Sequence, residues 1–506
     1  MTRRTVYALA LAALLILLAP LLGFFPPGAS GFAADTSADA ESRNTNAQSA
    51  EDKETDPLVL KKLDWFQDVK FGLMMHWGPY SQWGVVESWS ICSEDEPWCA
   101  RNIPDYVEYK RRYQELPKTF NPAKFDPAAW AKAAKQAGMR YVVFTTKHHD
   151  GFSMFDTKQT DYRITGPHVP FASHPKANVV KEIFAAFRAE GFGTGAYFSK
   201  PDWHSPDYWA PEWATPDRNV NYDTSRYPER WARLADFTYK QIEELMTGYG
   251  PVDILWLDGG WVRPYPALPP SLRGLIKQPY NQDIDMPRIA AMARRNQPGL
   301  IIVDRTVTGR YENYRTPEQE VPEKPLPYVW ETCMTMGNSW SYVPNDKYKS
   351  VNRLIHLLVD IVSKGGNFLL NIGPSAEGEL PAESLRRLAE IGAWMKVNSE
   401  AIYETRPVAP YKEANICYTA KKDGTVFALV LADENETSMP SKVMIPSFAP
   451  GPSGRVELLG RPGALRFEAV GKGTLVTIPA AAVKNPPGRH AWGLKITKAR
   501  PADGQD

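Results

Sequence analysis

Cysteine is scarce: four residues, Cys92, Cys99, Cys333 and Cys417, in a chain of 506. That excludes a disulfide-built scaffold and a cysteine zinc site. Cys92 and Cys99 are close enough in sequence to close one small loop in an oxidising compartment. An excess of either charge is also missing, since 59 Lys and Arg face 58 Asp and Glu for a net charge of +1. With no basic run, nothing electrostatic speaks for a nucleic-acid partner. Long apolar runs are confined to residues 6–25, behind Arg3-Arg4 and ahead of Gly31-Phe32-Ala33. This is the pattern of an export signal over residues 1–33, cleaved after Ala33, and only an uncleaved signal would tie the chain to a membrane. The mature protein is therefore expected in the periplasm or outside the cell. Residues 34–57 are polar and almost without large apolar side chains, and are expected to be a disordered tether.

Tryptophan is plentiful: 16 residues, all but Trp394 and Trp492 lying between Trp65 and Trp340. They suit either a large aromatic core or a carbohydrate cleft. Over the same stretch an amphipathic helix, a glycine stop and a β-branched strand follow one another repeatedly. Helix 128–136 leads through Gly138 to strand 140–146, and helix 179–190 through Gly191 to strand 193–199. Helix 230–246, helix 286–295 and helix 352–363 lead likewise to strands 252–257, 300–304 and 367–372. Short αβ connections of this kind require a parallel sheet with right-handed crossovers.

Polar residues collect where these strands finish: His148 and His149, Tyr197, Asp258, Arg305, and Glu331 near the strand 328–334. A barrel gathers all its strand ends around one mouth, whereas an open sheet spreads them along a crevice. The expected fold is therefore α/β, a (β/α)8-like TIM barrel over residues 58–405. After residue 405 short β-branched segments alternate with Gly, Pro, Asn and Asp, as expected of a C-terminal antiparallel β-sandwich over 406–500.

The run Leu255-Trp256-Leu257-Asp258-Gly259-Gly260 ends an apolar strand in a carboxylate, which is costly unless something uses or satisfies it. His76-Trp77-Gly78 follows a short apolar strand, and His148 and His149 are adjacent. Neighbouring residues on a strand face opposite ways, so both histidines reach one site only where the strand ends and the chain turns. Three histidines and an acid also raise the possibility of a metal. The adjacent pair lacks the spacing that shares a strand face, however, and no Cys or carboxylate cluster completes a ligand set, so no metal and no cofactor is expected. Sugar chemistry at Asp258 would need a second carboxyl group. Glu318 in a Pro-marked loop, Glu331 in a strand-like segment and Glu87 beside Ser88-Trp89 are the candidates.

Together these segments resemble the α-L-fucosidases of glycoside hydrolase family 29. The resemblance rests on His76-Trp77-Gly78, Lys147-His148-His149-Asp150-Gly151-Phe152, Ala196-Tyr197-Phe198-Ser199, Leu255-Trp256-Leu257-Asp258-Gly259, and Trp330-Glu331-Thr332-Cys333 with Ser339-Trp340-Ser341-Tyr342 beyond. They occur in the family's order over residues 60–405. It implies a retaining exo-hydrolase with a β-sandwich behind the barrel, no metal, and a fucosylated oligosaccharide or polysaccharide as partner. Asp258 is then the nucleophile. His76, His148, His149, Tyr197, Trp256 and Arg305 match positions that bind the sugar, and Glu87, Trp89 and Trp340 join them as candidates. Glu318, in Thr316-Pro317-Glu318, is the first choice for acid/base, with Glu331 and then Glu87 behind it. Phe71, Trp340 and Trp256 are available to receive the fucose methyl group. The rival readings are a glycosidase for a fucose-like sugar such as galactose, a non-catalytic carbohydrate-binding barrel, and a barrel metallohydrolase. The oligomeric state is left open.

Overall fold

The computed structural model describes residues 53–92, 101–215, 217–268, 273, 278–303, 305, 309–471 and 473–501. The export signal, most of the tether and Cys99 with its pairing to Cys92 lie outside the described residues. Among the described residues no helix is long and apolar enough to cross a membrane.

Helix α1 (Pro57–Val69) starts where Asp56 accepts the Leu58 amide and Pro57 occupies the first turn. Then come β1 (Phe71–Met75), α2 (Tyr106–Gln114), α3 (Pro127–Gln136), β2 (Tyr141–Lys147), α4 (Val179–Ala189) and β3 (Gly193–Ser199). They are followed by α5 (Pro228–Gly248), β4 (Ile254–Asp258), α6 (Met286–Asn296), β5 (Ile301–Ile302), β6 (Glu331–Thr335), α7 (Val351–Ser363), β7 (Asn367–Ile372) and α8 (Ala382–Asn398). The strands form one curled, all-parallel sheet in the order β5-β4-β3-β2-β1-β7-β6. Every residue of β1, β2, β3 and β7 is buried, as parallel strands covered on both faces must be.

The fifth strand is shorter than expected, Ile301–Ile302, and single bridges continue the pairing beyond it. Val303 pairs with Tyr314, Arg315 with Trp330 and Glu318 with Cys333, all in parallel sense. Residues 314–318 thus touch both edges of the sheet, β5 on one side and β6 on the other. This irregular segment carries Glu318, and its crossing is what brings that residue to the strand ends.

Close packing inside the sheet leaves no room for a methyl group at Gly72, whose neighbour across the β1–β2 register is Tyr141. A Cβ on Gly72 would lie 2.4 Å from the Tyr141 ring. Gly72→Ala is expected to cost about 1–3 kcal/mol in denaturant unfolding, as overpacked cores do. It should also lower activity, since Tyr141 holds a site carboxylate described below.

Beyond α8 the pairing becomes antiparallel. One sheet of five strands contains β8 (Arg406–Glu413), β9 (Ile416–Ala420), β10 (Val426–Leu431), β13 (Val456–Leu458) and β16 (Ala491–Ile496). A three-stranded sheet holds β11 (Lys442–Ile445), β14 (Arg466–Val470) and β15 (Gly473–Thr477), and β12 (Phe448–Pro450) pairs with β17 (Ala499–Pro501). Strand β10 shows how the larger sheet is used. Phe427 and Leu429 join the core of the parallel sheet, while Val426, Ala428 and Val430 join a second core with Val443 and Val476. Period-two alternation with both faces covered explains why this strand is apolar throughout. Hydrogen bonds seal the contact: Trp394 donates to the Ala491 carbonyl (2.8 Å) and Asn352 to that of Ala432 (3.0 Å).

Candidate active site

The site forms where the parallel strands end. Asp258 is the last residue of β4, and each of its oxygens is held. Arg305 donates to Oδ1 at 2.8 Å, the Gly259 amide donates to the same oxygen at 2.7 Å, and the Tyr197 hydroxyl donates to Oδ2 at 2.5 Å. Burial pushes this carboxyl up, but the guanidinium of Arg305 first and the Tyr197 hydroxyl with it outweigh burial and hold Asp258 well below the usual carboxylate range. His149 is itself lowered to about 4, chiefly by burial, so it is uncharged near neutrality and Arg305 is the cation that matters.

Arg305 has a second carboxylate. Its other terminal nitrogen donates to Glu318 Oε2 at 2.7 Å, and its guanidinium lies 4.9 Å from the centre of the Trp256 ring. Trp256 stands two residues before Asp258 and so on the same face of β4, one layer deeper. It stacks on Tyr197 (centroids 5.2 Å, planes 16° apart). Its indole N–H donates to Glu331 Oε1 at 3.1 Å, and the Tyr141 hydroxyl donates to Glu331 Oε2 at 2.6 Å. Glu331 begins β6 rather than ending it, so it lies under Trp256 with both oxygens occupied. Trp256 thus stands between Glu331 and the guanidinium that bridges Asp258 and Glu318.

The three histidines converge. Strand β2 stops at Lys147 and the chain turns at Gly151 (φ 78°), which puts the His148 and His149 rings 4.4 Å apart on one side. His76 follows β1, with its ring 5.3 Å from His148, 5.3 Å from Tyr197 and 5.1 Å from Trp340. Burial lowers His76 to about 4 and His148 well below its usual value, so the pocket is lined by neutral imidazoles. Trp89 meets His149 edge-on at 5.3 Å. Glu87 is buried, and burial above all raises it to about 8.

One expectation fails. Phe71 stands at the start of β1 and stacks on Phe368, at the end of the sheet opposite His76. A strand advances about 3.3 Å per residue, so Phe71 is far below the pocket and cannot receive a sugar methyl group.

Residues passed over in the sequence hold the imidazoles from behind: Ser88 for His148, Ser199 for His149 and Asn371 for His76. Asn371 had a visible signal, an amide inside the apolar strand β7. Ser199 closes the Ala196-Tyr197-Phe198-Ser199 motif, but nothing in the sequence singled out Ser88 as an imidazole's partner. Lys200, fully buried, donates to the carbonyls of Val262 and Arg305, fastening the loop that carries Arg305.

His148, His149 and Asp258 offer atoms within 4.8 Å of one another, the one such trio among the described residues. A divalent cation there would share its only carboxylate with a guanidinium 2.8 Å away. The donor set fits a metal poorly.

The sequence model for the α-L-fucosidase family matches residues 38–400. Tissue α-L-fucosidase of Rattus norvegicus is 28% identical over 456 residues, spanning 86% of this chain and 89% of its own. Among solved structures, α-L-fucosidase isoenzyme 1 from Paenibacillus thiaminolyticus superposes with a TM-score of 0.69 at 29% identity, covering 87% of this chain and 99% of that one. The α-fucosidase of Thermotoga maritima, in complex with a mechanism-based inhibitor, gives 0.67 at 27% identity over 86% and 96% of the two chains. With Asp258, the histidine trio and Arg305 gathered at one end of a parallel sheet, the chain belongs to the α-L-fucosidases of glycoside hydrolase family 29.

Proposed function

We propose that the protein is a retaining exo-α-L-fucosidase that releases terminal α-L-fucosyl residues by double displacement, with Asp258 as nucleophile and Glu318 as acid/base. The observation that carries this is one guanidinium, Arg305, holding Asp258 and Glu318 on its two terminal nitrogens at 2.8 and 2.7 Å. Two carboxyls on one guanidinium fit the short separation of retaining enzymes, roughly 5–5.5 Å, better than the wider gap of inverting ones. One cation neutralises one anion, so a second, partly buried carboxyl on the same guanidinium is best accommodated as its acid. Asp258, with three donors, keeps the charge, and Glu318 takes the proton that the leaving oxygen needs. When Asp258 attacks the anomeric carbon it becomes an uncharged ester. Arg305 then faces Glu318 alone and stabilises the anion that must deprotonate water in the second step. Glu331 supports the Trp256 floor.

A second acid/base reading rests on Glu87, whose raised pKa of about 8 keeps it protonated at neutral pH. The comparisons give no support to the galactose-type or non-catalytic alternatives, and the Thermotoga maritima relative has also been solved with fucose. We further read the sheet as a (β/α)8-like barrel closed by residues 314–318, with residues 58–405 as the catalytic unit and 406–500 as a β-sandwich. The charged-then-apolar start supports export to the periplasm or beyond. The direct test is an aryl α-L-fucoside followed by proton NMR, beside a panel of α1-2, α1-3, α1-4 and α1-6 fucosyl oligosaccharides. First release of the β anomer would sink the retaining mechanism.

The acid limb of the pH profile should belong to the histidines, because Asp258 stays ionised below them. His76 and His149 are lowered to about 4, so they are neutral above that pH and take protons as pH falls through it. We expect kcat/KM to fall with an apparent pKa near 4. An acid limb near the free-imidazole value of about 6.5 would mean the pocket is wetter than its geometry indicates.

A further inference from the structure

The nitrogen of each imidazole that faces away from the pocket has a defined partner, and those partners dictate where the ring proton sits. Ser199 Oγ donates to the Pro201 carbonyl at 2.7 Å, and a carbonyl only accepts. The hydroxyl has one proton, so toward His149 Nδ1, 2.6 Å away, it must accept. His149 therefore carries its proton on Nδ1 and leaves Nε2 bare. Ser88 is the reverse case. Its Oγ accepts the Asp150 amide at 3.0 Å, and among the described residues the acceptor paired with its own proton is His148 Nδ1 at 2.5 Å. Were Ser88 to accept there as well, its buried proton would go unpaired. His148 Nδ1 is then the acceptor, and the ring proton goes to Nε2. His76 resembles His149: the Asn371 amide nitrogen donates to the Trp340 carbonyl at 2.7 Å, which turns Oδ1 toward His76 Nδ1 at 2.8 Å.

We propose that Ser88 and Ser199 are positioning residues that lock the adjacent His148 and His149 in opposite tautomers, so that the pocket offers an Nε2–H donor beside a bare Nε2 acceptor. The Nε2 atoms of the three imidazoles are not among the sealed polar atoms left without a partner. His149 Nε2 lies 3.6 Å from Asp258 Oδ2, beyond hydrogen-bond reach, with no proton of its own to give. Two acceptors side by side next to the nucleophile suit one sugar hydroxyl that donates between them. His148 Nε2–H suits a neighbouring hydroxyl that accepts. With the opposite tautomer at His149, an Nε2–H would point at Asp258 Oδ2 and take the place of the donating hydroxyl. The lowered pKa values of these rings are consistent with this, because a ring that stays neutral has only its tautomer to vary.

This inference rests on the fucosidase reading only for the identity of the sugar. Neutron diffraction from deuterated crystals of the wild-type protein near neutral pH tests the tautomers without any turnover. Deuterium is expected on Nε2 of His148 and on Nδ1 of His149. Deuterium on His149 Nε2, on His148 Nδ1, or on both nitrogens of either ring overturns the proposal. In kinetics, Ser199→Ala should lower kcat on an aryl fucoside about 10- to 100-fold, with a smaller change in KM, as loss of an orienting partner does. Ser199→Thr, which keeps the hydroxyl, should recover most of that loss. An unchanged kcat in Ser199→Ala, or equal losses in the two variants, also overturns it. A wild-type protein inactive on every fucoside would refute the function while leaving the neutron result to stand or fall separately.

Discussion

Asp258→Gly is expected to abolish turnover of an aryl α-L-fucoside, with kcat reduced about 10^4-fold or more, as when the nucleophile of a catalytic unit is removed. Added azide should restore part of the rate and yield the inverted β-fucosyl azide. The reasoning is electrostatic and geometric. Asp258 is kept ionised by Arg305 at 2.8 Å and oriented by the Tyr197 hydroxyl and the Gly259 amide. Glycine removes the attacking oxygen and leaves a space beside the guanidinium that a small anion can occupy. Unimpaired activity, or a rescued product of retained configuration, would remove Asp258 from the nucleophile's role.

Glu318→Ala has the second largest expected effect, and it depends on the leaving group. General acid catalysis contributes about 10^2–10^4-fold, and only a poorly activated leaving oxygen needs it. Natural fucosyl oligosaccharides should lose that factor, while a dinitrophenyl fucoside should lose far less in its first step. Azide should then trap the intermediate as the retained α-fucosyl azide, because Asp258 is intact and only water requires the missing base. The same pair of substrates separates the alternatives. If Glu87→Gln shows the leaving-group dependence and Glu318→Ala does not, the proton donor is the buried Glu87. Glu331→Ala should weaken both substrates alike, since its oxygens are taken by Trp256 and Tyr141 and its loss loosens the floor under both.

The parts of the site that were legible in the sequence are those dictated by local pattern. A helix, a glycine stop and an apolar strand repeated in order require a parallel sheet, and polar residues at strand ends then share one rim. His148 and His149 illustrate this: adjacency on a strand would send them to opposite faces, so their joint use required the strand to stop, and it stops at Lys147. Phe71 shows the limit. It looks like a site residue by composition, but it begins its strand, and a few residues of strand separate the floor from the mouth. The role of Ser88 and Ser199 gave no sign, because a serine becomes an imidazole's partner only when the fold sets it there, in Ser88's case across 60 residues of chain.

By itself the sequence determined a parallel α/β sheet with a carboxylate and imidazoles at its strand ends, because helix and strand periods and the polarity of strand ends are written in neighbouring residues. The nucleophile's role for Asp258 came with the family resemblance and is part of the proposed function. The tertiary structure decided the protonation of those groups. Whether Glu318 carries a proton depends on an arginine that also holds Asp258, and which histidine nitrogen is bare depends on a hydroxyl from another loop. Coulombic and hydrogen-bond energies fall off over a few ångströms of space, whatever the distance along the chain. The ionic and tautomeric state of the pocket therefore follows from the packing of distant segments.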